Sequence, residues 1–129
     1  MPKLLLLFNH RLSAEQEADA RNSLSVRDFV YLPEALQALW SQVPPEPETL
    51  GEHVAPVLDW LDAQAQPGDM VMAQGDYGVT WLAVAHCFSK GYIPVYGTTG
   101  RQTLEQPQPD GSVKIERVFR HVRFRAYGR

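Results

Sequence analysis

The chain has a single cysteine in its 129 residues, Cys87, so no disulfide can form within it and a stapled secreted scaffold is excluded. Long apolar runs are also missing. The most apolar opening stretch, residues 4–8 (LLLLF), ends at Asn9, whereas a membrane-spanning helix needs about 20 apolar residues. A signal peptide would need a longer apolar region and a small-residue cleavage site. A cytoplasmic protein with no membrane partner is therefore expected. Neither GxGxxG nor GxxxxGK[ST] occurs, which disfavours nicotinamide binding and P-loop ATP hydrolysis. His10, His53, His86 and His121 are scattered and no cysteine pair accompanies them, so no metal site and no cofactor are predicted. There is no internal repeat and no low-complexity tract.

What is present suits one domain spanning residues 1–129. At this length folding buries roughly two-thirds of the open chain's surface, enough for one core. The net charge of −3 hides an asymmetry. Residues 1–112 hold six Lys/Arg against 14 Asp/Glu, a balance of −8, while residues 113–129 hold six Lys/Arg against Glu116 alone, a balance of +5. The basic end (Lys114, Arg117, Arg120, Arg123, Arg125, Arg129) suits either an anionic ligand or acidic partner, or a solvated strand paired with acidic helices. It has no regular basic–aromatic readout pattern and the total is acidic, so DNA is not an expected partner.

The hydrophobic pattern alternates between strand and helix. Residues 4–8 read as a strand buried on both faces. Ser13-Ala14-Glu15-Gln16 reads as a capping box opening a helix to about Asn22. Phe29-Val30-Tyr31 is a second strand, and Pro33 suits the first turn of a helix carrying Leu36, Leu39, Trp40 and Val43 on one face. Pro44, Pro45 and Pro47 stop it. Thr49-Leu50-Gly51-Glu52 reads as another capping box, and Pro56 predicts a kink or a later start. Residues 70–73 form a buried strand after the Pro67-Gly68-Asp69 turn. Residues 79–85 are apolar almost all round, which predicts a central helix stopped at Gly91, with Trp40, Trp60 and Trp81 all on core faces. Residues 92–96 form a fourth strand. Beyond Arg101, a turn at Pro109-Asp110-Gly111 joins two extended arms, and a phase change near Arg117 predicts a bulge. The expected fold is α/β: a Rossmann-like, mainly parallel sheet flanked by helices, with a C-terminal β-hairpin.

In open α/β sheets ligands bind outside the carboxyl ends of the strands. That rule selects Asn9-His10-Arg11, Gln74-Gly75-Asp76-Tyr77-Gly78 and Thr98-Thr99-Gly100-Arg101. Glycines let backbone approach a phosphate, helix N-termini offer N–H groups, and Arg11 and Arg101 can fork onto phosphate oxygens. Asn9 and Gln74 can read a base or hold a ribose. His10 is the candidate proton carrier, because imidazole titrates near neutrality, and a loop histidine bonded to backbone is the plainer alternative. Asp76 is either an orienting carboxylate or a helix N-cap. Thr98 and Thr99 are hydroxyl donors or ordinary strand-end residues. Cys87, mid-helix among apolar neighbours, reads as core.

The segments PKLLLLFNHRLS, FVYLPEALQALW, PGDMVMAQGDYG, GYIPVYGTTGR and VFRHVRFR resemble a small CRISPR-associated family, among the stand-alone relatives of the Rossmann-fold domains found with type III systems. The likeness covers nearly the whole chain. It implies a homodimer holding a cyclic oligoadenylate, the four-adenylate ring foremost, across its two-fold axis. It further implies metal-independent ring cleavage by a ribose 2′-hydroxyl, leaving a 2′,3′-cyclic phosphate. FNHR, QGDYG and TTGR would line the site, with His10, Asp76 and Arg101 as catalytic candidates. Asn9, Arg11, Gln74, Gly75, Tyr77, Gly78, Thr98, Thr99 and Gly100 would bind substrate. A ring-binding protein that does not cut, and an interaction module using the basic hairpin, are the alternative readings.

Overall fold

Four consecutive leucines set the plan of the molecule. Leu4, Leu5, Leu6 and Leu7 lie in strand β1 (Lys3–Leu7) and are all buried, so alternation sends Leu5 and Leu7 into one core and Leu4 and Leu6 into another. The computed structural model describes residues 2–129. The other elements follow in order: α1 (Ala14–Ser23), β2 (Asp28–Tyr31), α2 (Glu34–Ser41), α3 (Gly51–Gln64), β3 (Met70–Ala73), α4 (Tyr77–Lys90), β4 (Ile93–Pro107) and β5 (Val113–Ala126). They form a five-stranded sheet in the order β2-β1-β3-β4-β5. The first four strands are parallel and β5 runs antiparallel to β4, which gives the expected Rossmann-like sheet with a C-terminal hairpin.

The larger core lies under α2, α3 and α4. Leu5, Leu7, Val71 and Ala73 meet Trp40 of α2, Val54, Val57 and Leu61 of α3, and Val79, Ala83 and Cys87 of α4. On the opposite face Leu4, Leu6, Met72 and Val95 meet Leu12, Ala20 and Val26, with Phe124 of β5 partly buried against them. Among the described residues that face has α1 as its one helix, and the hairpin curls over to share the cover.

Local sequence chemistry accounts for most boundaries. Ser13 and Gln16 make the expected reciprocal capping box, with Ser13 N donating to Gln16 Oε1 at 2.8 Å. Gly91 ends α4 at φ 79°, a left-handed conformation that glycine adopts without Cβ strain. The capping box expected at Thr49 does not form. Leu50 is the N-cap, without a side-chain cap bond, because it is drawn into contact with the larger core. Pro56 lies inside α3, which opens at Gly51, so the later start is not seen.

Two expectations need larger correction. α4 is not central: Val79, Ala83 and Cys87 are buried, but Trp81 is 68% exposed and Phe88 56%, because helices cover this side of the sheet as one layer. Trp40 does lie on a core face and Trp60 packs partly against it, whereas Trp81 does not. The bulge sits not near Arg117 but opposite Thr98 and Thr99, which pair with Arg123 and His121 and leave Val122 as the extra residue. Among the described residues no helix is long and apolar enough to cross a membrane.

Candidate functional site

The loop from β1 to α1 carries Asn9, His10 and Arg11, all exposed at the carboxyl end of the sheet. Asn9 Oδ1 accepts from Ser41 Oγ at 3.3 Å, and the His10 ring meets Phe8 edge-on with centroids 5.5 Å apart. The Arg11 guanidinium lies 4.0 Å above the Tyr31 ring, a cation–π contact that extends it along β2. With Leu32, Glu34 and Gln37 these residues line a recess of about 360 Å³.

The segment after β3 is built for packing more than for a ligand. Gln74 N donates to Leu7 O at 3.0 Å, its Oε1 accepts from Gly97 N at 2.7 Å, and its carbonyl accepts from Trp40 Nε1 at 3.0 Å. Gln74 thus clasps β1, β4 and α2, and its side-chain oxygen is not free to read a base. A Cβ at Gly75 would lie 2.8 Å from Trp40 Nε1, and one at Gly78 would lie 2.8 Å from Leu50 Cδ1. Close side-chain approach accounts for both glycines. Asp76 is the N-cap: its Oδ2 accepts from Gly78 N at 2.9 Å and Val79 N at 3.3 Å. This is the second of its two expected roles. It also spends the α4 amide donors, as the Ser13 box spends one on α1, so neither helix end is an open anion cradle. Tyr77, the next residue, is 95% exposed.

The third segment is not a loop. Thr98, Thr99, Gly100 and Arg101 lie inside β4, which continues past the sheet as a two-stranded ribbon with β5. Thr98 Oγ1 donates to Arg123 O at 2.9 Å, so its hydroxyl hydrogen serves the ribbon. A Cβ at Gly100 would lie 3.1 Å from Val122 Cγ2. Arg101 is exposed, its guanidinium 5.5 Å from the ring centroid of its cross-strand partner Phe119. Four residues of strand carry it about 13 Å beyond Gly97. The segments after β1 and β3 therefore share one end of the sheet, joined there by Gly97, while Arg101 stands apart on the ribbon.

The ribbon creates a groove that sequence reasoning passed over. Between it and α1 lies a recess of about 580 Å³ lined by Ser13, Glu15, Gln16, Thr99, Phe119, Arg120 and His121 among others. Arg120 pairs with Glu15, and His121 Nε2 lies 2.7 Å from Asp19 Oδ2. The His121 side chain is only 5% exposed, and its Nδ1 is buried with no hydrogen-bond partner among the described residues. A hydrogen bond from Ser23 Oγ, with help from His121 and Arg123, outweighs burial and holds the Asp19 carboxyl below its ordinary range. The bulge makes this possible. One extra residue lets His121 and Phe124, three apart, both face α1, with ring centroids 4.7 Å apart. The phase break in β5 was the one sequence signal pointing here.

A second histidine–carboxylate pair joins α3 to α4 on the other face of the sheet. Asp62 accepts from Tyr92 Oη at 2.8 Å and lies 2.8 Å from His86 Nε2. Burial raises the Asp62 pKa, but these bonds and the nearby Lys90 bring it below the usual range. Tyr92, buried against that carboxylate, is pushed up to about 12. Among the described residues no three His, Cys, Asp or Glu side chains gather as a metal-holding group.

No solved structure matches the chain. A protein of Methanocaldococcus jannaschii described as "Uncharacterized protein MJ1673" is 42% identical over 127 residues, which cover 98% of each chain. Residues 2–125 match the family described as "Uncharacterized protein MJ1673 family", and the chain belongs to that family.

Proposed function

We propose that this protein is a ring nuclease of type III CRISPR antiviral signalling. It binds cyclic oligoadenylate, the four-adenylate ring foremost, as a homodimer and cleaves it without a metal ion. The observation that carries the reading is Tyr77, nearly bare at the end of the sheet where the polar Asn9-His10-Arg11 loop also lies. An aromatic face left in water at the same end of the sheet as an exposed arginine-bearing loop suits a ligand with both a base to stack and a phosphate to grip.

The closed helix ends shape the chemistry. With the α4 cap donors taken by Asp76, phosphate charge falls to Arg11. In the cleavage step the ribose 2′-oxygen attacks the adjacent phosphorus in line, and the bond to the 5′-oxygen breaks. The 2′-hydroxyl proton passes to water, and His10 gives a proton to the leaving oxygen. The product carries a 2′,3′-cyclic phosphate and a free 5′-hydroxyl.

The test incubates the pure protein with cyclic tri-, tetra- and hexa-adenylate in excess EDTA and follows both binding and product. Neither binding nor product with any ring overturns the proposal. His10→Ala should slow cleavage more than it weakens binding, whereas Arg11→Ala should weaken binding. A second reading, a protein that sequesters the ring uncut, is favoured by one feature. His10 is exposed, and the carboxylate Asp19 orients His121 instead. Tight binding with no product would select it.

A further inference from the structure

The inward turn of His121 leaves one buried polar atom without a partner. A carboxylate can only accept, so the hydrogen shared between Asp19 and His121 lies on His121 Nε2. In neutral imidazole that makes Nδ1 a bare acceptor, and it is buried with no hydrogen-bond partner among the described residues. A buried acceptor left unmatched costs stability, and packing gives no reason for one here. Held by a carboxylate on one nitrogen and unmatched on the other, the ring is set to accept from a hydroxyl.

Two recesses meet at this histidine. One of about 580 Å³ is lined by Ser13, Thr99 and Phe119 among others, and one of about 460 Å³ by Ala18, Asp19 and Val122 among others. Glu15, Arg120 and His121 line both, so the Arg120–Glu15 pair stands between them. Each recess falls in the size range of small-molecule sites. Neither shares a residue with the recess at Asn9, His10 and Arg11.

We propose that this groove between α1 and the ribbon binds a ribonucleoside monophosphate. The phosphate takes the place of Glu15 on Arg120, a ribose hydroxyl donates to His121 Nδ1, and the base stacks on Phe119. Each part has its own support. The Arg120 and Glu15 side chains are both half exposed, and an ion pair in that setting is weak enough for a phosphate to displace the carboxylate. Displacement opens the partition between the recesses and lets the ligand reach Nδ1. Phe119 is 67% exposed although Arg101 lies over its ring, so it keeps aromatic surface for a base. Stacking tolerates any base, which makes the class a nucleotide and not one named base. Other occupants match less of the groove. Free phosphate reaches Arg120 alone, a sugar phosphate leaves Phe119 bare, and an apolar ligand leaves both Arg120 and Nδ1 unmatched.

Calorimetric titration of the full chain with adenosine 5′-monophosphate tests the site. The Arg11→Ala background keeps the Asn9-His10-Arg11 loop out of the measurement. The nucleotide should bind at millimolar concentration or below, and ribose 5-phosphate about tenfold more weakly. The 2′,3′-dideoxy nucleotide should also lose about tenfold, because it leaves Nδ1 unmatched. Glu15→Gln should tighten binding roughly two- to fivefold, the range of a half-exposed ion pair. Phe119→Ala, a change at the surface, should weaken it about tenfold. His121→Phe should erase the difference between the nucleotide and its dideoxy form. Should that variant fail to fold, the same two ligands on the unaltered groove decide the point. No binding at millimolar concentration overturns the proposal, as does equal binding of the two nucleotides or indifference to Phe119→Ala. Binding by the wild type that vanishes in Arg11→Ala also overturns it, because it places the nucleotide at the carboxyl-end loop. The groove and the proposed ring site share no lining residue, so either can fail while the other stands.

Discussion

His121 Nε2 lies 2.7 Å from Asp19 Oδ2, a bond between β5 and α1 across 102 positions of sequence. It fastens the ribbon to the one helix that covers the smaller core. Asp19→Asn should cost about 1–3 kcal/mol at neutral pH, as expected for a partly buried bond to a charged group. The folded Asp19 pKa is lowered, so its contribution is full above the unfolded carboxylate pKa and disappears as pH falls through the folded one. Urea unfolding at neutral and acid pH should thus show the wild type and Asp19→Asn converging below about pH 4. A gap that stays constant into acid would show that the pair contributes nothing through ionisation.

Asp76 caps α4 through Gly78 N and Val79 N, which separates a stability role from a catalytic one. Asp76→Ala should lose about 1 kcal/mol, and Asp76→Ser, another good N-cap, should recover most of it. In a domain of this size that corresponds to a melting shift of roughly 3–6 °C. Thermal melts of the two variants decide the matter. Equal destabilisation by Ser and Ala would mean that the carboxylate acts otherwise than as a cap.

Gly75 is held to glycine by Trp40. A methyl group there would sit 2.8 Å from Trp40 Nε1 and push the indole off the Gln74 carbonyl, to which it donates at 3.0 Å. Gly75→Ala should destabilise by about 1–3 kcal/mol. It should also alter the emission of Trp40, which is 1% exposed. Unchanged fluorescence and stability would return Gly75 to the ligand role that its loop first suggests.

Cys87 is fully buried, and burial, with the nearby Asp62 charge, pushes its thiol up to about 12. The folded protein should therefore leave a thiol reagent unreacted at mildly alkaline pH and react with one equivalent only after denaturation. Rapid labelling of the native chain would contradict the packing of α4.

The parts legible in the sequence are those whose cause is local. Leu4 to Leu7 can only be a strand covered on both sides, because an apolar run that ends at Phe8 is too short for a helix and has no polar face. Ser13 with Gln16, and Gly91 with its positive φ, state a helix start and stop through bonds that close within one turn. What tertiary structure alone decided depends on partners far away in the chain. Thr98 to Arg101 looked like a loop until β5 paired with them, and the glycines at 75 and 78 looked like a phosphate cradle until Trp40 and Leu50 filled the space above them. Trp81 and Phe88 are apolar wherever they lie, and the neighbours packed on α4 determine that they face water. His121 turns inward because one extra residue in β5 shifts its alternation, and that extra residue is defined only by the register of the strand opposite.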